Sequence, residues 1–201
     1  AHVTLDNQQA GQTTFTIDTN RTTIGWQNLQ QPENNRLEFN FTHGGRGASV
    51  LNYSDSVDAI RISGHVVSNG TVGFANPYGV YVDGKAVIDV GSLVAIGGNV
   101  SREAFLAGAP LEIPLQGRVE NHGLIRADGN VALLATSVWS APTVSAAFAL
   151  ASPVQIAMGE VREALAYPES LADDVNPQPE ETRIVPREGE RQKNVVVITL
   201  E

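Results

Sequence analysis

The chain has 201 residues, 42% of them hydrophobic, with 13 Lys and Arg against 22 Asp and Glu, a formal charge of −9 and no cysteine. That length fits one domain with a tail and is enough to bury a core. The acidic balance excludes a nucleic-acid partner held by a basic stripe. The lack of cysteine excludes disulfides, thiolate metal sites and Cys nucleophiles, and no run reaches the ~18 apolar residues of a membrane helix.

The first residues, Ala1-His2-Val3, carry neither a Met nor a basic, apolar leader. They read as a mature N-terminus left by signal-peptide removal, with an arbitrary boundary as the alternative. From there to about residue 100 the chain reads as β-structure. Thr13–Thr19, Arg36–Phe41 and Asp58–Ile62 alternate apolar and polar residues with period two, which puts one face in a core and the other in solvent. Gly44-Gly45, Ser68-Asn69-Gly70, Asp83-Gly84 and Gly97-Gly98-Asn99 punctuate these runs as turn residues that tolerate positive φ. Ile62–Phe74, Gly79–Gly91 and Val119–Leu133 repeat one order: strand, Gly or Asn corner, strand. Coils of ~20 residues fit a solenoid in which each turn stacks on its neighbours. A β-sandwich would space its strands by ~8–12 residues with hairpin signals, and the Asn-Gly and Asp-Gly pairs keep that reading open.

Residues 136–159 are apolar and Ala-rich, either strand or buried helix. Residues 159–167 read as a short helix closed by Pro168. Residues 168–191 hold Pro168, Pro177, Pro179 and Pro186 among many acids and read as an extended, solvated linker. The segment 192–201 ends in Asn194-Val195-Val196-Val197-Ile198-Thr199-Leu200, a strong β-former that needs a sheet edge. The expected division is therefore a domain over 1–167, a linker over 168–191 and a strand over 192–201.

Several motifs in order carry a family resemblance. Ile24-Gly25-Trp26 is followed by Leu37-Glu38-Phe39, and Val50-Leu51-Asn52-Tyr53 by Ile62-Ser63-Gly64 and Ser68-Asn69-Gly70. Asn76-Pro77-Tyr78-Gly79-Val80, Leu93-Val94-Ala95 and Val119–Ile125 complete the series. Over residues 12–158 this resembles the secretion domain of two-partner secretion proteins, the filamentous-haemagglutinin and high-molecular-weight-adhesin family. Tyr53 stands where the family's Val-Leu-Asn-Arg has Arg, and Tyr78 where Asn-Pro-Asn-Gly has its second Asn. The resemblance implies an all-β fold: a right-handed parallel β-helix with an N-terminal cap. It implies Sec export, an outer-membrane β-barrel transporter as partner, and a place outside the cell or on its surface. It marks Asn52, Asn76, Pro77 and Gly79 as secretion-motif and turn residues. Asn76-Pro77-x-Gly79 is itself a turn signal, because Pro77 fixes φ and Gly79 can supply a positive one.

The chemistry-bearing residues point away from catalysis. His2, His43, His65 and His122 lack metal-ligand spacing, although His65 and His122 sit near corners of similar coils. A polysaccharide-cleaving β-helix would cluster carboxylates, for which Asp55, Asp58, Asp83 and Asp89 are the candidates. Asp83 reads as a turn residue and Asp89 as outward-facing. Gly44-Gly45-Arg46-Gly47 reads as a loop, not a phosphate cradle. Trp26 and Trp139 read as core or cap residues. Asn20, Asn40, Asn52, Asn69 and Asn99 lie in glycosylation sequons, set against the abundance of Asn and Thr in coiled β-structure. The expected function is a structural surface protein, an adhesin module or a self-assembling filament subunit, with no cofactor, no catalysis, no nucleic acid and no membrane insertion. In the filament reading Val195, Val196, Val197, Ile198 and Leu200 cross head to tail to a neighbouring subunit, the alternative being that they fold back on their own chain. The other readings are a glycan- or receptor-binding β-helix and a polysaccharide-active enzyme.

Overall fold

A computed structural model describes residues 3–140, 144–145, 148–152 and 194–197 of the chain. It opens with a hairpin. β1 (Val3–Gln9) pairs antiparallel with β2 (Gln12–Ile17) across a turn in which Gly11 takes φ 78°. From β2 onward the chain winds in coils, and each coil lays one strand on each of three sheets. The first coil is β2, β3 (Arg21–Trp26) and β4 (Gln30–Gln31). The second is β5 (Arg36–Phe41), β6 (Ser49–Ser54) and β7 (Ile60–Ile62), and the third β8 (His65–Ser68), β9 (Thr71–Ala75) and β10 (Gly79–Val82). The fourth is β11 (Val87–Val90), β12 (Ser92–Ile96) and β13 (Arg118–Asn121), and the fifth β14 (Leu124–Ala127), β15 (Asn130–Leu134) and β16 (Ser137–Ser140). A further turn begins with β17 (Val144–Ser145) and β18 (Phe148–Ser152). All these strands pair in parallel with their counterparts in the coils before and after, and the result is β-helix-like. Among the described residues no two-layer antiparallel sandwich forms, because after the opening hairpin Asn and Gly turn corners and do not reverse the chain.

The alternation read in the sequence is the packing. Leu37, Val66, Ile88 and Ile125 stack in register inside the first sheet, and Ile60, Val80 and Val119 inside the third. Phe39, Phe74, Ile17 and Ile96 are among the side chains fully removed from solvent, each contributing roughly 1.5–3 kcal/mol. Phe15 stacks on Phe39 with centroids 5.6 Å apart and meets Trp26 edge-on at 5.9 Å. Stacked corners leave no room for side chains at some turns: a Cβ on Gly91 would stand 2.8 Å from the Gly70 carbonyl oxygen, and one on Gly129 3.0 Å from that of Gly91.

The repeat is uneven because the chain leaves the column between β12 and β13. This excursion contains α1 (Arg102–Ala107), which was not expected from the sequence. Ser101 caps it by accepting from the Ala104 amide, and Gly108 ends it at φ 67°. The excursion lies on the outer face of the second sheet. There Leu111 and Ile113 are buried against Leu51, Ala75, Ile96, Ala132 and Leu134, forming a second core outside the coil.

Within the apolar segment 136–159, residues 137–140, 144–145 and 148–152 are strands. The expected helix at 159–167 and the linker at 168–191 lie outside the described residues. β19 (Asn194–Val197) pairs in parallel with β18 of the same chain, Ala149 with Val195 and Leu150 with Val196. Val195, Val196 and Val197 thus extend the second sheet of their own chain. Ile198 and Leu200 lie outside the described residues. Among the described residues no helix is long and apolar enough to cross a membrane.

Candidate functional site

Asn76, Pro77 and Gly79 form the corner between the second and third sheets, Asn52 lies inside β6 of the second sheet, and Asn121 ends β13 on the third. Asn52, Asn76 and Asn121 are fully buried. A buried amide must be satisfied, or it costs about 1–3 kcal/mol, and each of these is. Asn76 Oδ1 accepts from the backbone amides of Tyr78 at 2.7 Å and Gly79 at 3.1 Å, and the Gly79 amide also reaches the Asn76 carbonyl at 3.1 Å. Asn76 Nδ2 donates to the carbonyls of Ser54 at 2.9 Å, Ser56 at 3.1 Å and Asp58 at 3.3 Å in the preceding coil. One side chain therefore shapes its own turn and fastens the turn before it. Gly79 completes that turn at φ 128°, and a Cβ there would collide with the Arg118 carbonyl oxygen of the next coil. Asn52 Oδ1 accepts from Trp26 Nε1 at 3.1 Å, and its Nδ2 donates to the Gly73 carbonyl at 3.2 Å. Asn52 thus links three coils. Asn121 accepts from the Gly123 amide and donates to Ser140.

Beside these corners a cleft opens, lined by Tyr53, Asp55, Pro77, Asn99 and Arg102 among others. Arg102, from α1, lies over the Tyr53 ring at 4.3 Å and donates to the Tyr53 hydroxyl at 3.2 Å and to Asp55 at 3.5 Å. Tyr78 is 54% exposed at the rim of the turn. The two positions at which the chain departs from the family motif, Tyr53 and Tyr78, are therefore ones that solvent reaches, whereas Asn52 and Asn76 are enclosed.

The other candidates are dispersed. Among the described residues no group of three or more His, Cys, Asp or Glu could hold a metal ion. Asp89 is exposed on the first sheet, Asp83 ends the third sheet's strand, and Asp55 and Asp58 lie in the corner loop. Asp83 accepts from Ser63 and Arg61. Partial burial pulls its pKa up, but the Ser63 and Arg61 hydrogen bonds and the Arg61 and His122 charges outweigh that and hold it below the ordinary 3.8. His65 lies on the first sheet with Arg36 3.4 Å from its Nδ1. Burial, then Arg36, lowers its pKa against the pull of Asp89. His122 belongs to the third sheet's corner, stacked on Trp139, so the two histidines do not form one site. Gly45–Gly47 forms an exposed 3-10 turn, as expected of a loop.

Asn20, Asn40, Asn69 and Asn99 are exposed, and Asn69 already spends its amide on the Phe41 backbone. Asn52 offers no amide to a sugar in the folded domain. Trp26 is half-buried against the core, as expected. Trp139 corrects its expectation: it is 51% exposed. The reading failed because Val138 and Trp139 are both apolar, and only the register decides which of them turns inward.

No protein-family model and no curated protein matches the chain. Among solved structures it is similar to the HMW1 secretion domain from Haemophilus influenzae, with 22% identity and a TM-score of 0.62 over 75% of this chain. The match spans 40% of that structure's length. At that similarity the chain shares its fold with the HMW1 secretion domain, and its motifs resemble the two-partner secretion type.

Proposed function

We propose that the chain is the secretion domain of an exported, non-enzymatic surface protein of the adhesin type. In this reading it is a right-handed parallel β-helix that passes an outer-membrane β-barrel transporter after Sec export. The observation that carries the reading is the bonding of Asn52 and Asn76. Asn52 inside a strand and Asn76 at a turn each bond across neighbouring coils, within a fold similar to a solved secretion domain. The asparagines act by joining the coils. The surface a docking domain of the transporter can touch is the exposed rim, Tyr78 with the cleft between Tyr53 and Arg102.

Export tests this directly. The chain, given a Sec leader, is produced in a Gram-negative host with and without the outer-membrane transporter of its source organism. It should reach the medium only with the transporter. Tyr78→Ala and Arg102→Ala should lower the exported amount several-fold while the purified domain keeps its circular dichroism spectrum. Retention in the periplasm despite the transporter would overturn the proposal.

A further inference from the structure

The third sheet carries a row of outward side chains that lie outside the core. Register aligns Arg61, Tyr81, Glu120 and Trp139 on β7, β10, β13 and β16. Their neighbours Ile60, Val80 and Val119 are buried, and alternation turns the four to the outside. Neighbouring strands lie about 4.8 Å apart, so Tyr81 and Trp139, separated by two strand steps, stand roughly 9–10 Å from each other along the column. That is close to the length of a disaccharide unit in an extended β-linked chain.

The polar groups on this face are arranged around the two rings. His122 stacks on Trp139 with centroids 4.2 Å apart and planes 28° apart, steadying the indole while half its surface stays open. Arg61 lies 5.6 Å from the Tyr81 ring centroid and 2.6 Å from Asp83, and His122 lies 3.4 Å from Glu120. Arg61 thus has a carboxylate beside it and Glu120 has the His122 ring beside it, and the row presents rings and hydrogen-bonding edges. Such a face complements an uncharged, hydroxyl-rich occupant, which brings no charge to desolvate. It does not complement a second copy of a chain of net charge −9. Aromatic rings offer a flat apolar platform, the carboxylates accept from hydroxyls, and the guanidinium donates to them.

We propose that this face binds a neutral β-linked polysaccharide laid along the coil axis, with sugar rings on Trp139 and Tyr81 and their hydroxyls on Glu120, Asp83, Arg61 and His122. This goes beyond the export reading and stands or falls apart from it. The probes are cellohexaose and chitohexaose, titrated into the purified chain while tryptophan fluorescence is followed. At least one should give a saturable change at up to millimolar concentration. Trp139→Ala should abolish the spectral change, and isothermal titration should show its affinity at least about tenfold weaker, as for Tyr81→Ala. Both are surface changes, and an unaltered circular dichroism spectrum checks that the coil is intact. Trp26, hydrogen-bonded to Asn52, serves as the internal reference. Failure of both sugars to bind overturns the proposal. So does an affinity in both variants equal to that of the unaltered chain, and so does a dimer in sedimentation that Trp139→Ala dissolves, which would make the face a contact between copies.

Discussion

Asn76 concentrates the structural cost of this fold in one side chain. It satisfies two amides of its own turn and contacts three carbonyls of the turn before. Asn76→Ala leaves several of these groups buried without partners and should lower unfolding stability by about 2–4 kcal/mol, read from urea denaturation midpoints. A loss below 1 kcal/mol, the scale of an ordinary exposed substitution, would mean that water replaces the amide. Asp83 sets an acid limit. Its carboxyl titrates below 3.8 in the folded chain and near the ordinary value when unfolded. Its contribution is therefore complete above about pH 4 and disappears as pH falls through the folded value. Asp83→Asn should flatten the stability curve below pH 4 and change its slope little above pH 5, as measured by thermal unfolding across pH. At this scale the sequence was partly legible. Asn-Pro-x-Gly announces a turn because its residue types fix its dihedrals. That Asn52 receives Trp26 from the previous coil depends on how the coils stack, which no local pattern encodes.

The strands differ by sheet in a way that composition records. In the first and third sheets Arg36–Phe41 and Ile60–Ile62 alternate strictly, with one face dry and one wet. In the second sheet Leu93-Val94-Ala95-Ile96 and Val131-Ala132-Leu133-Leu134 are apolar throughout, because the excursion dries the outer face as well. The runs thus signalled a covered sheet. What covers it was not legible, since α1 spans less than two turns and Phe105, Leu111 and Ile113 follow no single period. Ile113 is 3% exposed. Ile113→Ala should cost about 2–4 kcal/mol, measurable by chemical denaturation. Leu106→Ala, at 47% exposure in the same excursion, should stay within about 0.5 kcal/mol. Similar losses at both positions would show that the excursion is not packed as described.

Across the whole molecule, the winding of the chain followed from the order of motifs and the recurring Gly and Asn corners more than from any one strand. The tail illustrates the limit. A run as apolar as Asn194–Leu200 demands an edge, but every edge of a coil offers the same backbone groups, so the choice of β18 is a matter of tertiary position. A stack of coils touching only their neighbours behaves as a one-dimensional array whose ends can peel off turn by turn. Here a lengthwise strap prevents that. Arg21 in the first coil donates to the Phe105 carbonyl at 3.0 Å, Arg102 rests on Tyr53 in the second, and Leu111 and Ile113 reach the third, fourth and fifth. The opening turn cannot come away without unseating a segment anchored three turns further on. The column is thereby lashed into a single melting block.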